Sequence, residues 1–264
     1  DIEFDISGTG VHTIQPATAL PIITDPVTID GYTQSGTSVN TNGPDLGTNA
    51  VLLIELDGSL TGAGEAGIKI TAGSSTVKGL VINGFGGHGI VLDTGGGNVI
   101  EGNFIGTNAT GTALANFLSG VIVSASANNT IGGTAPEARN LISGNGQHGI
   151  ETTLWSGGTV VQGNLIGTDA GGTVKVANGG NGIKIGASPN NTIGGRTAGE
   201  RNIISGNDVD GVAITDFARI AINNTVEGNF IGTDISGTLD LGNKFDGVSL
   251  FRAPDNIVGG RASG

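Results

Sequence analysis

Asn103-Phe-Ile-Gly-Thr-Asn108 decides the fold, because this stretch recurs as Asn164-Leu-Ile-Gly-Thr-Asp169 and Asn229-Phe-Ile-Gly-Thr-Asp234. The first copies are 61 residues apart (103 to 164) and the next are 65 apart (164 to 229). Two further elements follow the same period. They are Asn129-Thr-Ile-Gly-Gly133, repeated from Asn191 and in altered form from Asn256, and Arg139-Asn-Leu-Ile-Ser-Gly-Asn145, repeated from Arg201. Similarity at a fixed period indicates a solenoid built from stacked units.

A shorter unit lies inside each long repeat and consists of Gly, an apolar residue, any residue and often a second apolar residue. Its seven copies are 22 to 36 residues apart, so each long repeat holds two coils. We expect about three short strands per coil, with alternating side chains and with Gly and Asn at the turns. This pattern is typical of a parallel β-helix. The copies are Gly67-Ile-Lys-Ile70, Gly89-Ile-Val-Leu92, Gly120-Val-Ile-Val123, Gly149-Ile-Glu-Thr152, Gly182-Ile-Lys-Ile185, Gly211-Val-Ala-Ile214 and Gly247-Val-Ser-Leu250.

The composition excludes several classes of protein. Glycine supplies 51 of 264 residues, which disfavours helices, while the 36% hydrophobic content argues against a disordered linker. The absence of cysteine excludes disulfides, thiolate metal sites and a cysteine nucleophile. A net charge of −12 excludes nucleic acid and anionic membrane surfaces as partners. No apolar run is long enough to insert into a membrane.

The repeated motifs also resemble a known family. The block from Asn98 to Thr112 with its copies, and the Asn-Thr-Ile-Gly-Gly block, are similar to the right-handed parallel β-helix repeat domains of large secreted bacterial proteins, in the pectin-lyase-like fold superfamily. The resemblance covers residues 67–264, and residues 1–66 look like irregular first coils of the same single domain, 1–264. It implies an all-β, right-handed parallel β-helix of about eight or nine coils, with an extracellular or cell-surface location. It does not select an activity, because this fold hosts lyases, hydrolases, epimerases, adhesins and inert stalks.

Strand alternation predicts which side chains fill the core. In the copy that begins at Gly182, Ile183 and Ile185 point inward and Lys184 points outward, and Thr152 is a weak inward position. Asparagines at the turns should be structural, since Asn tolerates left-handed backbone and its amide bonds its neighbours. We expect Asn103, Asn164 and Asn229 to stack on one another. We also expect the pair Asn140/Asn145 to stack on the pair Asn202/Asn207.

Two outward columns contain the candidate catalytic residues. In the first, the middle residue of each Gly-led strand, Glu151 and Lys184 lie on neighbouring coils and should pair. The second column, the residue before each Gly, places Asp210 and Asp246 on adjacent coils. Coils about 4.8 Å apart would give a carboxylate separation near that of retaining glycosidases. Alternatively, these polar residues simply serve a surface turn. The second column is Ala66, His88, Ser119, His148, Asn181, Asp210 and Asp246.

Three weaker candidates remain. Trp155 could stack on a sugar ring, or be an ordinary exposed aromatic residue. Gly87-His88-Gly89 resembles the Gly-His-Gly motif of polygalacturonases, but the other motifs of those enzymes are absent here. The Gly-Thr-(Asp/Asn) loops could offer Asp169 and Asp234 to Ca²⁺, although a turn closed by its own side chain explains them without metal. We therefore expect no cofactor, with Ca²⁺ as the alternative.

The sequence favours a β-helix domain that extends, displays or weakly binds glycans without catalysis. The alternative is a polysaccharide lyase or glycoside hydrolase that uses Asp210, Asp246, His148, Glu151 and Lys184. The chain stops at Arg261-Ala-Ser-Gly264, within a repeat. We therefore expect a piece of a longer protein with flanking domains, or open ends that associate end to end.

Overall fold

Each coil of the chain contributes short strands to three parallel sheets that run the length of a solenoid. The computed structural model describes residues 1–216 and 220–260. The sheets contain nine, eight and seven strands, which confirms the all-β parallel β-helix and its eight or nine coils. Within the described residues, the helices are three 3-10 turns, Gly31–Thr33, Pro136–Ala138 and Ala198–Glu200. None of the helices in that part of the chain has the length and apolar character needed to cross a bilayer.

The strands are two to four residues long, and consecutive strands of one sheet come from consecutive coils. The first sheet contains Ile2–Glu3, Thr28–Asp30, Thr76–Lys78, Val99–Glu101, Thr130–Gly132, Val160–Gln162, Thr192–Gly194, Thr225–Glu227 and Ile257–Val258. The second contains His12–Ile14, Ile54–Asp57, Leu80–Asn83, Phe104–Ile105, Leu141–Ile142, Leu165–Ile166, Ile203–Ile204 and Phe230–Ile231. The third contains Ile68–Ile70, Ile90–Asp93, Val121–Ser124, Ile150–Thr153, Ile183–Gly186, Val212–Thr215 and Val248–Phe251.

The core lies between the three sheets and is filled by stacked aliphatic side chains. Ile183 and Ile185 point into it with no exposed surface, as the alternation predicts. Thr152 occupies an inward position between Val123 and Ile185 in the third sheet. It is fully buried, and among the described residues its hydroxyl has no hydrogen-bond partner. This column therefore contains one desolvated polar atom.

Replacing Thr152 with valine should stabilise the protein by about 1 kcal/mol, because a near-isosteric methyl removes a buried hydroxyl that lacks a partner. Urea denaturation followed by circular dichroism measures the change. Thr153→Val is the matched control, since Thr153 is the next residue of the same strand and points outward. We expect that control to change stability little. A loss of stability in Thr152→Val would mean that the hydroxyl contributes a favourable contact.

The glycine that precedes each strand of the third sheet, except Gly247 before the last one, is required by the close approach of neighbouring coils. A Cβ added at Gly120 would lie 2.8 Å from the carbonyl oxygen of Gly149, and one added at Gly149 would lie 2.6 Å from that of Gly182. These distances are shorter than real Cβ contacts, so a larger residue would push the coils apart. The Gly-led motif in the sequence is therefore a packing requirement between coils.

Asparagine side chains form ladders that run along the solenoid. In the ladder before the second sheet, the Oδ1 of each asparagine accepts hydrogen bonds from the main-chain N–H and the Nδ2 of the asparagine one coil earlier. Its members are Asn103, Asn140, Asn164, Asn202 and Asn229. A second ladder precedes the third sheet and contains Asn116, Asn145, Asn178, Asn207 and Asn243.

Two expectations about these asparagines were wrong in detail. Asn103, Asn164 and Asn229 do not stack directly on one another, because Asn140 and Asn202 lie between them on the intervening coils. For the same reason the pair Asn140/Asn145 does not stack directly on Asn202/Asn207, since Asn164 and Asn178 lie between them. The long repeat contains two coils, so its two asparagine motifs alternate within one column. The ladder members also lack left-handed backbone. The left-handed asparagines are other turn residues, Asn128, Asn190 and Asn223.

Apolar side chains are exposed near the end of the described chain. Leu250, Phe251, Ile257 and Val258 are between 45% and 58% exposed on the last strands of the third and first sheets. The expectation that the chain stops within a coil falls on residues 261–264, outside the described residues. End-to-end association stays a prediction.

Candidate functional site on the outer face of the third sheet

Two ion pairs lie on the outer face of the third sheet. Glu151 and Lys184 are register partners on neighbouring coils, and Lys184 Nζ lies 3.0 Å from Glu151 Oε1, as the sequence predicts. Towards the start of the chain, Lys69 Nζ lies 3.1 Å from Asp93 Oδ2. Lys69 and Lys184 are the only cationic residues in the seven strands of this sheet. Each therefore already has a carboxylate partner.

Glu151 is the centre of a polar cluster. Besides its ion pair, its Oε2 accepts a hydrogen bond from Ser119 Oγ at 3.3 Å. In the neighbouring column, His148 lies on the same coil as Glu151 and His88 lies two coils earlier. Burial lowers the pKa of both imidazoles, and the negative charge of Glu151 opposes that shift. The cluster therefore combines one ion pair with two histidines that favour the neutral form.

The second column is a hydrogen-bonding ladder along the solenoid. His88 Nδ1 accepts a hydrogen bond from the main-chain N–H of Ser119 at 3.2 Å, and His148 Nδ1 accepts one from the N–H of Asn181 at 3.0 Å. Asn181 Oδ1 in turn accepts the N–H of Asp210 at 3.0 Å. These side chains bind the main chain of the following coil. The pattern of residues before each Gly did not indicate these hydrogen bonds.

Asp210 and Asp246 lie on consecutive coils, as expected from their spacing. The Oδ1 of Asp210 accepts the main-chain N–H of Asp246 at 3.0 Å, and its Oδ2 accepts Ser249 Oγ at 2.6 Å. Both oxygens of Asp210 therefore bind protein groups, while Asp246 is exposed. The structure thus divides the five candidates. His148, Glu151 and Lys184 come together, and Asp210 and Asp246 form a second group further along the solenoid.

Among the residues that the structure describes, two open depressions lie on this face. One, of about 280 Å³, lies over the Glu151–Lys184 pair. The other, of about 370 Å³, lies beside Lys69, His88 and Val91 and is bordered by the loop that contains Ala19 and Ile22. Thr215 and Asp216 contribute to the first depression, and sequence reasoning did not single them out. The lining residues of that first depression are Glu151, Thr153, Lys184, Gly186, Ala187, Thr215 and Asp216.

Trp155 lies at the edge of the first depression. Its main-chain N–H donates to the carbonyl of Ala187, one of the lining residues, at 3.0 Å. Leu154 and Trp155 both have left-handed backbone, with φ of 52° and 67°, and are 58% and 62% exposed. The neighbouring coils have a single left-handed residue at this corner, Ala125 or Ala187. One inserted residue thus presents two large apolar side chains to solvent. Both residues have left-handed backbone, a conformation that costs free energy for residues other than glycine.

The loops considered for Ca²⁺ use their side-chain oxygens internally. Asp169 Oδ1 accepts the N–H groups of Thr173 and Val174 at 2.8 and 2.9 Å. Asp234 forms equivalent bonds, and the hydroxyl of Ser236 is the main cause of its lowered pKa. Over residues 1–216 and 220–260, no group of three or more acidic or imidazole side chains could hold a metal ion. Calcium binding by these loops stays a prediction.

Together, the three-sheet solenoid and its polar outer face define a β-helix domain. The family described as "Right handed beta helix region" matches residues 66–250, and the chain belongs to that family. No curated protein matches the chain in sequence.

Among solved structures, the A-module of the Azotobacter vinelandii mannuronan C-5 epimerase AlgE4 is similar, with 14% identity, a TM-score of 0.36, and coverage of 96% of this chain and 78% of that one. The AlgE6 A-module of the same organism has 12% identity and a TM-score of 0.34, with 96% and 87% covered. The catalytic domain of a GH87 α-1,3-glucanase has 10% identity and a TM-score of 0.34, and this chain covers 60% of it. These likenesses concern the fold.

Proposed function

We propose that this chain is an extracellular or cell-surface β-helix domain that binds glycan along the outer face of its third sheet without catalysing a reaction. One observation carries the proposal. Most of the groups that could act as acid or base on this face are engaged by the protein itself, since His88 and His148 (through Nδ1) and Asp210 hold main-chain amides of the following coil and Glu151 pairs with Lys184. A general acid or base must instead reach the substrate proton. Open depressions beside an exposed aromatic residue suit binding.

A carbohydrate-active enzyme is the second candidate, and a specific observation favours it. Glu151 and Lys184 line a depression large enough for a sugar unit, and the charge of Glu151 acts on the nearby His148. In this role Glu151 would act on the glycosidic bond, with Lys184 as a donor only, because an ammonium group has no acceptor atom. The lyase or hydrolase hypothesis therefore depends on Glu151.

Trp155→Ala should weaken glycan retention in affinity gels about tenfold, because loss of stacking and buried area costs about 1.4 kcal/mol. The assay tests a panel of polysaccharides and measures reducing ends and unsaturated products in parallel. Leu239→Ala is the control, since Leu239 is 60% exposed on a different loop, close to the 62% of Trp155. We expect retention of the native protein and of the control, with no product.

Two outcomes would contradict the proposal. Product formation that disappears in Glu151→Gln would establish the enzyme instead. No retention on any polysaccharide would exclude glycan binding and leave a structural role.

A further inference from the structure

We infer that the ligand of the third-sheet face is an uncharged polysaccharide, and that the two ion pairs on this face disfavour polymers of uronic acids. The inference rests on the proposed function and specifies its substrate class. It follows from the charges of the face, from the groups that remain available to a ligand, and from the position of Trp155.

The cations of this face are neutralised. Binding an anionic polymer requires cationic side chains that the protein has not already neutralised. Lys69 and Lys184 are the cations of the seven strands, and they bind Asp93 and Glu151 at 3.1 and 3.0 Å. A uronate carboxylate would have to displace one of these protein carboxylates to gain an equivalent contact.

The carboxylates of the second column add negative charge to the same face. Asp210 and Asp246 follow on the next coils of the second column, and the whole chain has a net charge of −12. An anionic chain laid along the solenoid past the Glu151–Lys184 pair would therefore meet net repulsion on the coils that follow Lys184. An uncharged chain has no such cost.

Neutral hydrogen-bonding groups and an aromatic ring are what the face offers to a ligand. Ser124 and Thr153 are register partners in the outward column beyond Glu151, so their hydroxyl groups lie on adjacent coils. Coils repeat about every 4.8 Å, and hydroxyls at that interval suit the hydroxyl groups of successive sugar units. Trp155 at the edge offers an apolar ring, and such a ring packs against the C–H face of a sugar.

The test uses pairs of polysaccharides that share a backbone and differ in whether it carries carboxylates: hydroxyethyl- and carboxymethyl-cellulose, mannan and mannuronan of the same linkage, and methyl-esterified and free galacturonan. Retention of the native protein in affinity gels is measured from about 0.01 M to 1 M salt, where the Debye length falls from about 30 to 3 Å. We expect the neutral member of at least one pair to retain the protein about tenfold better than the charged member. That retention should change little with salt.

Glu151→Gln tests the role of the ion pair directly, because it leaves Lys184 without its carboxylate. We expect the ratio of charged to neutral retention to rise several-fold in this variant and to fall again with salt. Glu227→Gln is the matched control. It removes a carboxylate that pairs with Arg196 at 3.4 Å, but this carboxylate lies on the first sheet. The ratio of charged to neutral retention should therefore not change.

The outcomes separate this inference from the proposed function. Salt-sensitive preference for the charged member of a pair would overturn the inference and leave glycan binding in place. An unchanged ratio in a folded Glu151→Gln variant, checked by its thermal melt, would also overturn it. If no member of any pair retains the protein, the proposed function fails and the inference fails with it.

Discussion

Asn164→Ala should lower the free energy of unfolding by about 4 kcal/mol, because one fully buried amide connects three coils. Its Oδ1 accepts the Nδ2 of Asn140 at 2.9 Å. Its Nδ2 donates to the carbonyls of Ile131 and Gln162 at 2.9 Å and to Asn202 Oδ1 at 3.0 Å. Alanine leaves these buried groups without a partner and leaves a cavity. Each unpaired buried group costs about 1–3 kcal/mol.

Urea denaturation gives the overall change, and amide hydrogen exchange locates it. Repeat proteins unfold partly by neighbouring units, so we expect the largest increase in exchange on the coils that contain Asn140, Asn164 and Asn202. Asn108→Ala is the control, since the side chain of Asn108 bonds only its own loop. A loss in Asn164→Ala no greater than that of the control would show that the ladder does not stabilise the coils.

Arg139→Met should cost about 3 kcal/mol, and the loss should be concentrated in residues 38–51. Arg139 is 6% exposed, and burial lowers the pKa of its guanidinium. Its Nε donates to the carbonyl of Gly163 at 3.2 Å, and its Nη1 donates to the carbonyls of Gly43 and Leu46. Methionine fills much of the space but donates no hydrogen bond, so three carbonyls lose a partner.

The loop of residues 38–51 is the part of the fold that Arg139 positions. Three further contacts attach it to coils far along the chain. Asn40 Nδ2 donates to the carbonyl of Pro136 at 2.8 Å, and the N–H of Thr48 donates to the carbonyl of Ala170 at 2.8 Å. Arg201 pairs with Asp45 at 2.9 Å. Without Arg139, these contacts and the packing of Ala50 against the buried cluster around Leu52 remain.

Limited proteolysis and hydrogen exchange within residues 38–51 measure the effect of Arg139→Met. We expect cleavage in this loop to accelerate while the remaining coils stay protected. Arg196→Met is the control, because Arg196 is 78% exposed and its pair with Glu227 is a surface ion pair, worth less than about 1 kcal/mol. Equal behaviour of the two variants would show that the buried guanidinium does not hold the loop.

The sequence by itself determined the repeating part of this protein. The period of the Asn-x-Ile-Gly-Thr motif predicted coils, the Gly-led strands predicted the third sheet, and alternation predicted that Ile183 is buried and that Lys184 pairs with Glu151. Each of these features depends on the residue that lies one coil away. A regular period determines which residue that is, so the sequence alone is enough to identify it.

The tertiary structure decided which contacts the non-repeating loops make and in which direction side chains point. Arg139 contacts Leu46, 93 residues earlier, and nothing in the repeat indicates that contact because the loop occurs once. The imidazole of His148 points along the solenoid to the next main-chain amide rather than toward solvent. Residue spacing specifies a column but not the direction of a side chain within it. That direction depends on which buried amide lacks a partner, and only the packed coils determine this.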